Sequence, residues 1–319
     1  MLPGAQRFVT AGRFVIGEDR LRLPLGRFVY GRRYLARADA VPIDPIELPL
    51  TARTYETPRL KGVFGALRDA SPDHWGRRVI GKHAGVPVLD EIDYLLHSPD
   101  DRAGALGFGL NVEPPAPRRA YNRALDLARL QALADQLIAD EQTTIAAAGE
   151  GGAAAPVAEL AQVQDLLLLG TSIGGARPKA VVEDEGALWI AKFNRMDDAW
   201  NNARVEHAML VLGRECGLST AESRIIQVAG RDVLLVKRFD RTPTADGYTR
   251  SRMLSALTLL RTGDSHQDRE RWSYVLLVEA LRQISARPQE DARELFKRVV
   301  FNALISNTDD HPRNHAVTA

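Results

Sequence analysis

The apolar positions along the chain change their period twice. Over the first 50 residues they come in short runs, with Arg-Phe-Val at 7–9, 13–15 and 27–29 and turn residues at Ala11-Gly12 and Gly17-Glu18-Asp19. Runs bounded in this way predict strands, and the unequal spacing of the triplets makes them a β-meander and not a repeat. From Pro58 the period turns helical through Leu60, Val63, Phe64 and Leu67. Ser71-Pro72-Asp73 then predicts an N-cap with proline in the first turn, opening a second helix through Trp75, Val79 and Ile80. The proline-rich stretch Asn111–Pro117 can continue neither element and predicts a boundary.

A helix is predicted next over Ala124–Ala139, followed by Thr143–Val157, whose Ala- and Gly-rich centre (Ala146–Ala155) has too little apolar bulk to pack and predicts a mobile linker. Core-like Leu166–Leu169 leads into Gly170–Lys179. Two strands fit Ala180–Val182 and Leu188–Phe193, with a turn at Asp184-Glu185-Gly186. A helix with Val205, Met209 and Leu212 on one face ends at Gly217, and strands fit Arg224–Val228 and Val233–Val236. Beyond Ser251 the period is helical throughout, over Met253–Leu260, Trp272–Ile284 and Asp291–Ile305. The segments group as an N-terminal module (1–112), a helix and linker (113–158) and a C-terminal core (159–319), an α+β layout.

Composition narrows the function classes. The chain has 319 residues, 45% hydrophobic and 26% charged, with a net charge of +1, so no basic field marks a nucleic-acid or membrane partner. The single cysteine, Cys216, excludes an internal disulfide and a cysteine zinc site. It is read as a packing residue at a helix end. The N-terminus lacks the pattern of a signal peptide, and no apolar run reaches about 18 residues, so the expectation is a soluble, cytoplasmic protein. Only six of the 42 basic residues are lysine. A lysine in an apolar setting is therefore informative, because it offers a point charge where arginine offers a planar fork.

Three segments could carry chemistry. Ser172-Ile173-Gly174-Gly175-Ala176-Arg177-Pro178-Lys179 places adjacent glycines before a strand, where backbone amides can wrap an anion. It lacks the endings of the common nucleotide loops, and alone it fits an ordinary glycine turn. Lys192 lies inside the apolar strand Trp189–Phe193; pointing inward it needs a partner, and Glu206 on the next helix is the natural one. The alternative is a strand-end lysine at the surface. Asn307-Thr308-Asp309-Asp310-His311-Pro312-Arg313-Asn314 follows an apolar helix and spaces an Asp and an Asn as a kinase catalytic loop does. Alone it also fits a helix-terminating Asx-turn. The order of glycine loop, strand lysine, helix glutamate and Asp-x4-Asn is what makes the three cohere.

On these segments the chain resembles the HipA-type serine/threonine kinase toxins of type II toxin–antitoxin systems. Residues 172–180 resemble that family's phosphate loop, Trp189–Phe193 its lysine strand, Lys237–Arg241 its hinge and Asn307–Asn314 its catalytic loop. Pro49–Thr51, Gly65–Trp75 and Asp101–Ala105 lie where the family has similar N-terminal segments, so the resemblance spans nearly the whole chain. It implies a kinase-like fold with a β-rich N-terminal module, a glycine-loop nucleotide-binding lobe and an incomplete helical lobe, using ATP and Mg²⁺. Asp309 would be the catalytic base, Asn314 a Mg²⁺ ligand, and Lys192 the phosphate anchor oriented by Glu206. Ser172, Ile173, Gly174, Gly175, Ala176, Arg177 and Lys179 would cover the phosphates. Lys237, Arg238 and Phe239 would meet the adenine, and His311 would contact nucleotide. Ser172 would be autophosphorylated, adding about −1.5 to −2 charges to a loop that must hold triphosphate. The implied partners are a HipB-like helix-turn-helix antitoxin, through which DNA is met only indirectly, and an aminoacyl-tRNA synthetase as substrate, with no membrane.

The family places a second metal-binding Asp and a further helical lobe after the catalytic loop, whereas only His315–Ala319 follow Asn314 here. The expectation is a shortened core that binds nucleotide with phosphoryl transfer weak or lost, and with uncovered apolar faces on Trp272–Ile284 and Asp291–Ile305. The alternative from another class is a non-catalytic antitoxin-binding scaffold with a degenerate kinase core. A small-molecule phosphotransferase would share the Asp-x4-Asn spacing but leaves the N-terminal module unexplained.

Overall fold

In the computed structural model, which describes residues 1–84, 89–118, 120–147 and 177–318, the early alternation becomes an antiparallel sheet. Its strands are β1 (Gly12–Glu18), β2 (Pro24–Tyr30) and, beyond the short helix α1 (Arg32–Leu35), β3 (Thr54–Thr57), in the order β1-β2-β3. The second and third Arg-Phe-Val triplets pair within β1 and β2; the first lies outside any strand. Alternate residues of β2 point into an aromatic core: Phe28 meets Tyr30 edge-on at 4.8 Å and Tyr30 stacks on Tyr34 at 5.8 Å. The Tyr30 hydroxyl donates to the Leu48 carbonyl and accepts from the Ile43 amide, and burial pushes its pKa up. Gly26 is required by close approach, since a Cβ there would sit 1.8 Å from the Gly62 carbonyl oxygen. The continuous helix predicted from Pro58 is interrupted, because Leu60, Lys61 and Gly62 take positive φ; the helix α2 is confined to Gly65–Asp69.

The described chain divides into two units, one of Met1–Ser71, Ala103–Pro117 and Thr244–Ala319 and the other of Pro72–Arg102 and Arg118–Pro243. The second opens with α3 (His74–Ala84), which is capped by Asp73 and not Ser71: Asp73 Oδ1 accepts the Gly76 amide at 2.7 Å. The helix α4 (Glu91–His97) starts with a capping box between Asp90 and Asp93. After β4 (Asn122–Arg123), α5 runs over Leu127–Ala147, well past the predicted end at Ala139 and into the predicted linker. The strands β5 (Lys179–Asp184) and β6 (Ala187–Phe193), the helix α6 (Asn202–Glu215), and the strands β7 (Ser223–Val228) and β8 (Arg231–Lys237) complete a five-stranded sheet of order β4-β5-β6-β8-β7. One face packs Ala180, Val182, Trp189, Ala191 and Phe193 against Trp75, Val79, Leu127 and Leu130. The other packs Leu234 and Val236 against Ala203 and Leu210 of α6. A fully buried leucine such as Leu130 or Leu234 contributes on the order of 2 kcal/mol.

The α6 face differs from the sequence expectation. Val205 and Leu212 are exposed, whereas Ala203 and Gly213 are buried and Leu210 packs on the sheet. Ala203, Glu206, Leu210 and Gly213 recur at helical spacing, so the inward face is the one that also carries Glu206. Cys216 caps this helix and is exposed, not packed.

The strands β9 (Arg241–Thr244) and β10 (Gly247–Arg250) carry the chain back into the first unit. There Met253–Ser255, predicted as helix, is the strand β11; it pairs antiparallel with β12 (Ala316–Thr318). The helices α7 (Ala256–Leu259), α8 (Tyr274–Ile284) and α9 (Pro288–Leu304) lie between them in sequence. Leu254, Leu259, Leu260, Leu277, Leu281 and Leu295 form their core with Ala66. Partly buried Asp69 accepts from the Ser255 amide and hydroxyl and from the Thr258 hydroxyl, fixing the start of α7; burial raises its pKa against those hydrogen bonds. Val275 and Leu276 on α8, and Phe296, Val300 and Leu304 along one face of α9, are exposed. Among the described residues no helix is long and apolar enough to cross a membrane.

Candidate active site

Strand alternation decides what β6 can offer. With Trp189, Ala191 and Phe193 committed to the α3/α5 core, Lys192 faces α6. Its Nζ lies 2.5 Å from Oε1 of Glu206, with the two side chains 32% and 42% exposed. The pair is held from below by the entry to α6. Asn201 caps the helix by accepting the Arg204 amide, and Asn194 bonds both Asn201, at 2.9 Å, and the Ala203 amide, at 3.0 Å. Asp232 binds Arg204 and Asn201 from β8. Glu206 is thus presented one turn into a fixed helix, and the partly exposed ammonium retains room for an anion.

Ser172, Ile173, Gly174, Gly175 and Ala176 lie outside the described residues. The end of their segment is described. Arg177 makes a two-bond fork to Asp198, at 2.8 and 2.7 Å, and this hydrogen bonding holds the Asp198 carboxyl down to about 2. Lys179 pairs with Lys192 across the β5–β6 ladder, yet its environment is opposite. Its Nζ lies 2.6 Å from Asp73 Oδ2, the two side chains being 2% and 4% exposed. Burial lowers the Lys179 pKa and Asp73 opposes that shift. The ammonium therefore anchors the cap of α3 to β5.

At the segment after β8, the Lys237 amide donates to the Glu222 carbonyl and its Nζ to the Glu222 carboxylate, while the Arg238 amide donates to the Leu188 carbonyl. The Arg238 guanidinium is wholly buried on Asp240 and on the carbonyls of Asp101 and Arg102. Phe239, between them, is 60% exposed, so the surface this segment offers to a flat ring is Phe239 and its backbone.

In the other unit, α9 is capped by Ile305 and Ser306 turns the chain at a φ of 56°. The Asn307 amide bonds back to the Asn302 carbonyl, and the Asn307 side chain accepts the Asp309 amide at 3.3 Å. Asn314 Nδ2 donates to the Asp309 carbonyl at 2.7 Å, which closes the five-residue step between the two candidates. The Asp309 carboxylate is 90% exposed, with the half-buried His311 ring 3.7 Å away. His311 in turn rests beside Trp272, ring centroids 5.7 Å apart. Asp310 points inward, accepting the Tyr274 hydroxyl and lying 2.8 Å from His315 Nε2. Arg313 pairs with Asp264, and β12 ties the far end of the loop to β11.

Each unit therefore assembles its own part of the predicted set: Lys192 with Glu206 in one, Asp309 with Asn314 in the other. Asp73, Asp198, Tyr274 and His315 support these residues and were not singled out in sequence. Lys179 and Asp73 are 106 positions apart, which no local pattern reveals. The residues fit ATP and Mg²⁺ in kind. Lys192 is a partly exposed cation suited to phosphate, and the Asp309 carboxylate and Asn314 amide carry hard oxygens of the type Mg²⁺ shares with phosphate.

Comparison with known proteins places both regions. Residues 171–319 match the model of the HipA-like C-terminal domain, and residues 11–109 that of the HipA N-terminal domain. The chain is 25% identical over 308 residues to Y4mE of Sinorhizobium fredii, a protein provisionally classed as a kinase, covering 91% of this chain and 67% of that one. The fold superimposes on HipA of Shewanella oneidensis, whose structure was determined with HipB and operator DNA, with a TM-score of 0.64 at 15% identity over 98% of this chain and 72% of that one.

Proposed function

The chain belongs to the HipA family of kinase toxins, and on that premise we propose that it transfers the γ-phosphate of ATP to a serine or threonine hydroxyl of a protein. The observation that carries this is the Lys192–Glu206 pair, a strand lysine oriented by a helix glutamate and left partly exposed. On this proposal Lys192 holds the phosphates, and the chain at Lys237, Arg238 and Phe239 meets the adenine. Asp309, exposed and fixed by Asn307 and Asn314, orients the attacking hydroxyl. The hydroxyl oxygen bonds to the γ-phosphorus as the bond to the β–γ bridging oxygen breaks; ADP leaves, and the hydroxyl proton passes to the Asp309 carboxylate. Mg²⁺, when bound, supplies neutralisation of the phosphate charge, and Asn314 is the residue that would hold it.

We further propose an aminoacyl-tRNA synthetase as substrate, autophosphorylation at Ser172, and a HipB-like helix-turn-helix antitoxin as partner. Likeness to a HipA solved with HipB and operator DNA supports the last of these. DNA is then met through the antitoxin, consistent with the balanced charge of the chain.

Calorimetric titration of MgATP into the 319-residue chain tests the nucleotide half. Binding is expected at one site, weakened at least about tenfold by Lys192→Ala through loss of a charge-assisted contact. Absence of binding would point instead to a non-catalytic protein that docks an antitoxin.

A further inference from the structure

Within the first unit, a pocket of about 580 Å³ opens between β3, the turn that follows it and the segment around Arg261 and Arg271. Four arginines (Arg53, Arg59, Arg261, Arg271) and two glutamates (Glu47, Glu56) line it. Both glutamates are already neutralised, Glu47 by Arg59 at 2.5 Å and Glu56 by Arg27 at 2.7 Å. Nearby Asp44 spends one carboxylate oxygen on the amides of Ile46 and Glu47. Three guanidinium groups are left over. Arg53 lies over the Tyr55 ring at 4.6 Å, Arg261 bonds the Ile46 carbonyl at 3.5 Å and is close enough to Asp44 to favour its charge without an ion pair, and Arg271 has no ion pair among the described residues. In a chain with a net charge of +1, this is a local excess of cations facing one space. Like charges so placed repel one another, and a bound anion reverses that cost.

We propose that this pocket binds a phosphate-bearing small molecule through Arg53, Arg261 and Arg271. The guanidinium fork matches phosphate oxygens, and the volume suits a ligand of nucleotide size or smaller. None of these residues belongs to the proposed phosphoryl-transfer set.

The test is calorimetric titration of inorganic pyrophosphate, without Mg²⁺, into the full chain carrying Lys192→Ala, which removes the anchoring lysine of the other proposed phosphate site. One pyrophosphate per chain is expected. Adding Arg261→Ala and Arg271→Ala is expected to weaken binding at least about tenfold. Because both side chains are exposed, the thermal midpoint without ligand is expected to stay unchanged, and Arg53→Ala serves as an independent second variant. No binding, or equal affinity with and without the arginines, would overturn the proposal. So would binding of a phosphorylated peptide or an oligonucleotide in the absence of pyrophosphate binding.

Discussion

Nε2 of His315 lies 2.8 Å from Oδ1 of Asp310, and the other oxygen of that carboxylate accepts the hydroxyl of Tyr274. Asp310 and His315 are each 11% exposed, whereas the preceding Asp309 is 90% exposed. Drawing Asp310 inward turns Asp309 out. Burial first, and then the bond to Asp310, push the Tyr274 pKa up, so the phenol remains a donor at neutral pH.

Removing that donor tests whether it positions the loop. Tyr274→Phe is expected to cost about 1.5–3 kcal/mol in urea unfolding, the range for a hydrogen bond to a charged group. It is also expected to lower kcat for phosphoryl transfer with little change in KM for ATP, since no nucleotide contact is assigned to it. An unchanged kcat would confine Tyr274 to a structural role.

The two ion pairs on the β5–β6 ladder are expected to behave oppositely. Lys179→Ala leaves the Asp73 carboxylate buried without its cation and is expected to destabilise by about 3–5 kcal/mol, while Lys179→Met combined with Asp73→Asn, which keeps a side-chain oxygen to cap α3, is expected to recover part of that. Denaturant titration of the three proteins decides it.

Glu206→Gln, by contrast, breaks a pair that is about a third exposed or more on both sides, so unfolding free energy is expected to shift by less than about 1 kcal/mol. Phosphoryl transfer is expected to fall by about tenfold or more, because the orientation of Lys192 is lost. Steady-state kinetics beside a melting curve separates the two effects.

The Arg177–Asp198 fork gives an acid-dependent stability contribution. The folded Asp198 carboxyl is held down to about 2, below its unfolded value, so its contribution is fully present above the ordinary carboxylate range and is lost as pH falls toward 2. Discounted for the partly exposed arginine, it amounts to about 1 kcal/mol. The gap in thermal midpoint between the natural chain and Asp198→Asn is expected to be present at pH 7 and to close as pH falls toward 2.

What was legible in the sequence was local. Lys192 lies in a seven-residue apolar strand, and the candidate catalytic loop spans Asn307–Asn314, so a single element fixes each. The inward face of α6 was not legible from hydrophobicity, because small residues and Glu206 orient the helix while Val205 and Leu212 face solvent. The three-residue pairing of β11 with β12 and the Lys179–Asp73 contact join distant segments, and Met253–Ser255 alone carries no period that distinguishes strand from helix. The early helix at Pro58 failed on backbone conformation at Leu60–Gly62, which periodicity does not report.

The central claim rests most directly on transfer of label from γ-labelled ATP to protein by the purified 319-residue chain, with Mg²⁺ and an aminoacyl-tRNA synthetase present. Weak labelling of the synthetase or of Ser172, abolished by Asp309→Asn while MgATP binding persists, is the predicted result. ATP binding without any transfer, or transfer that survives Asp309→Asn, would contradict it.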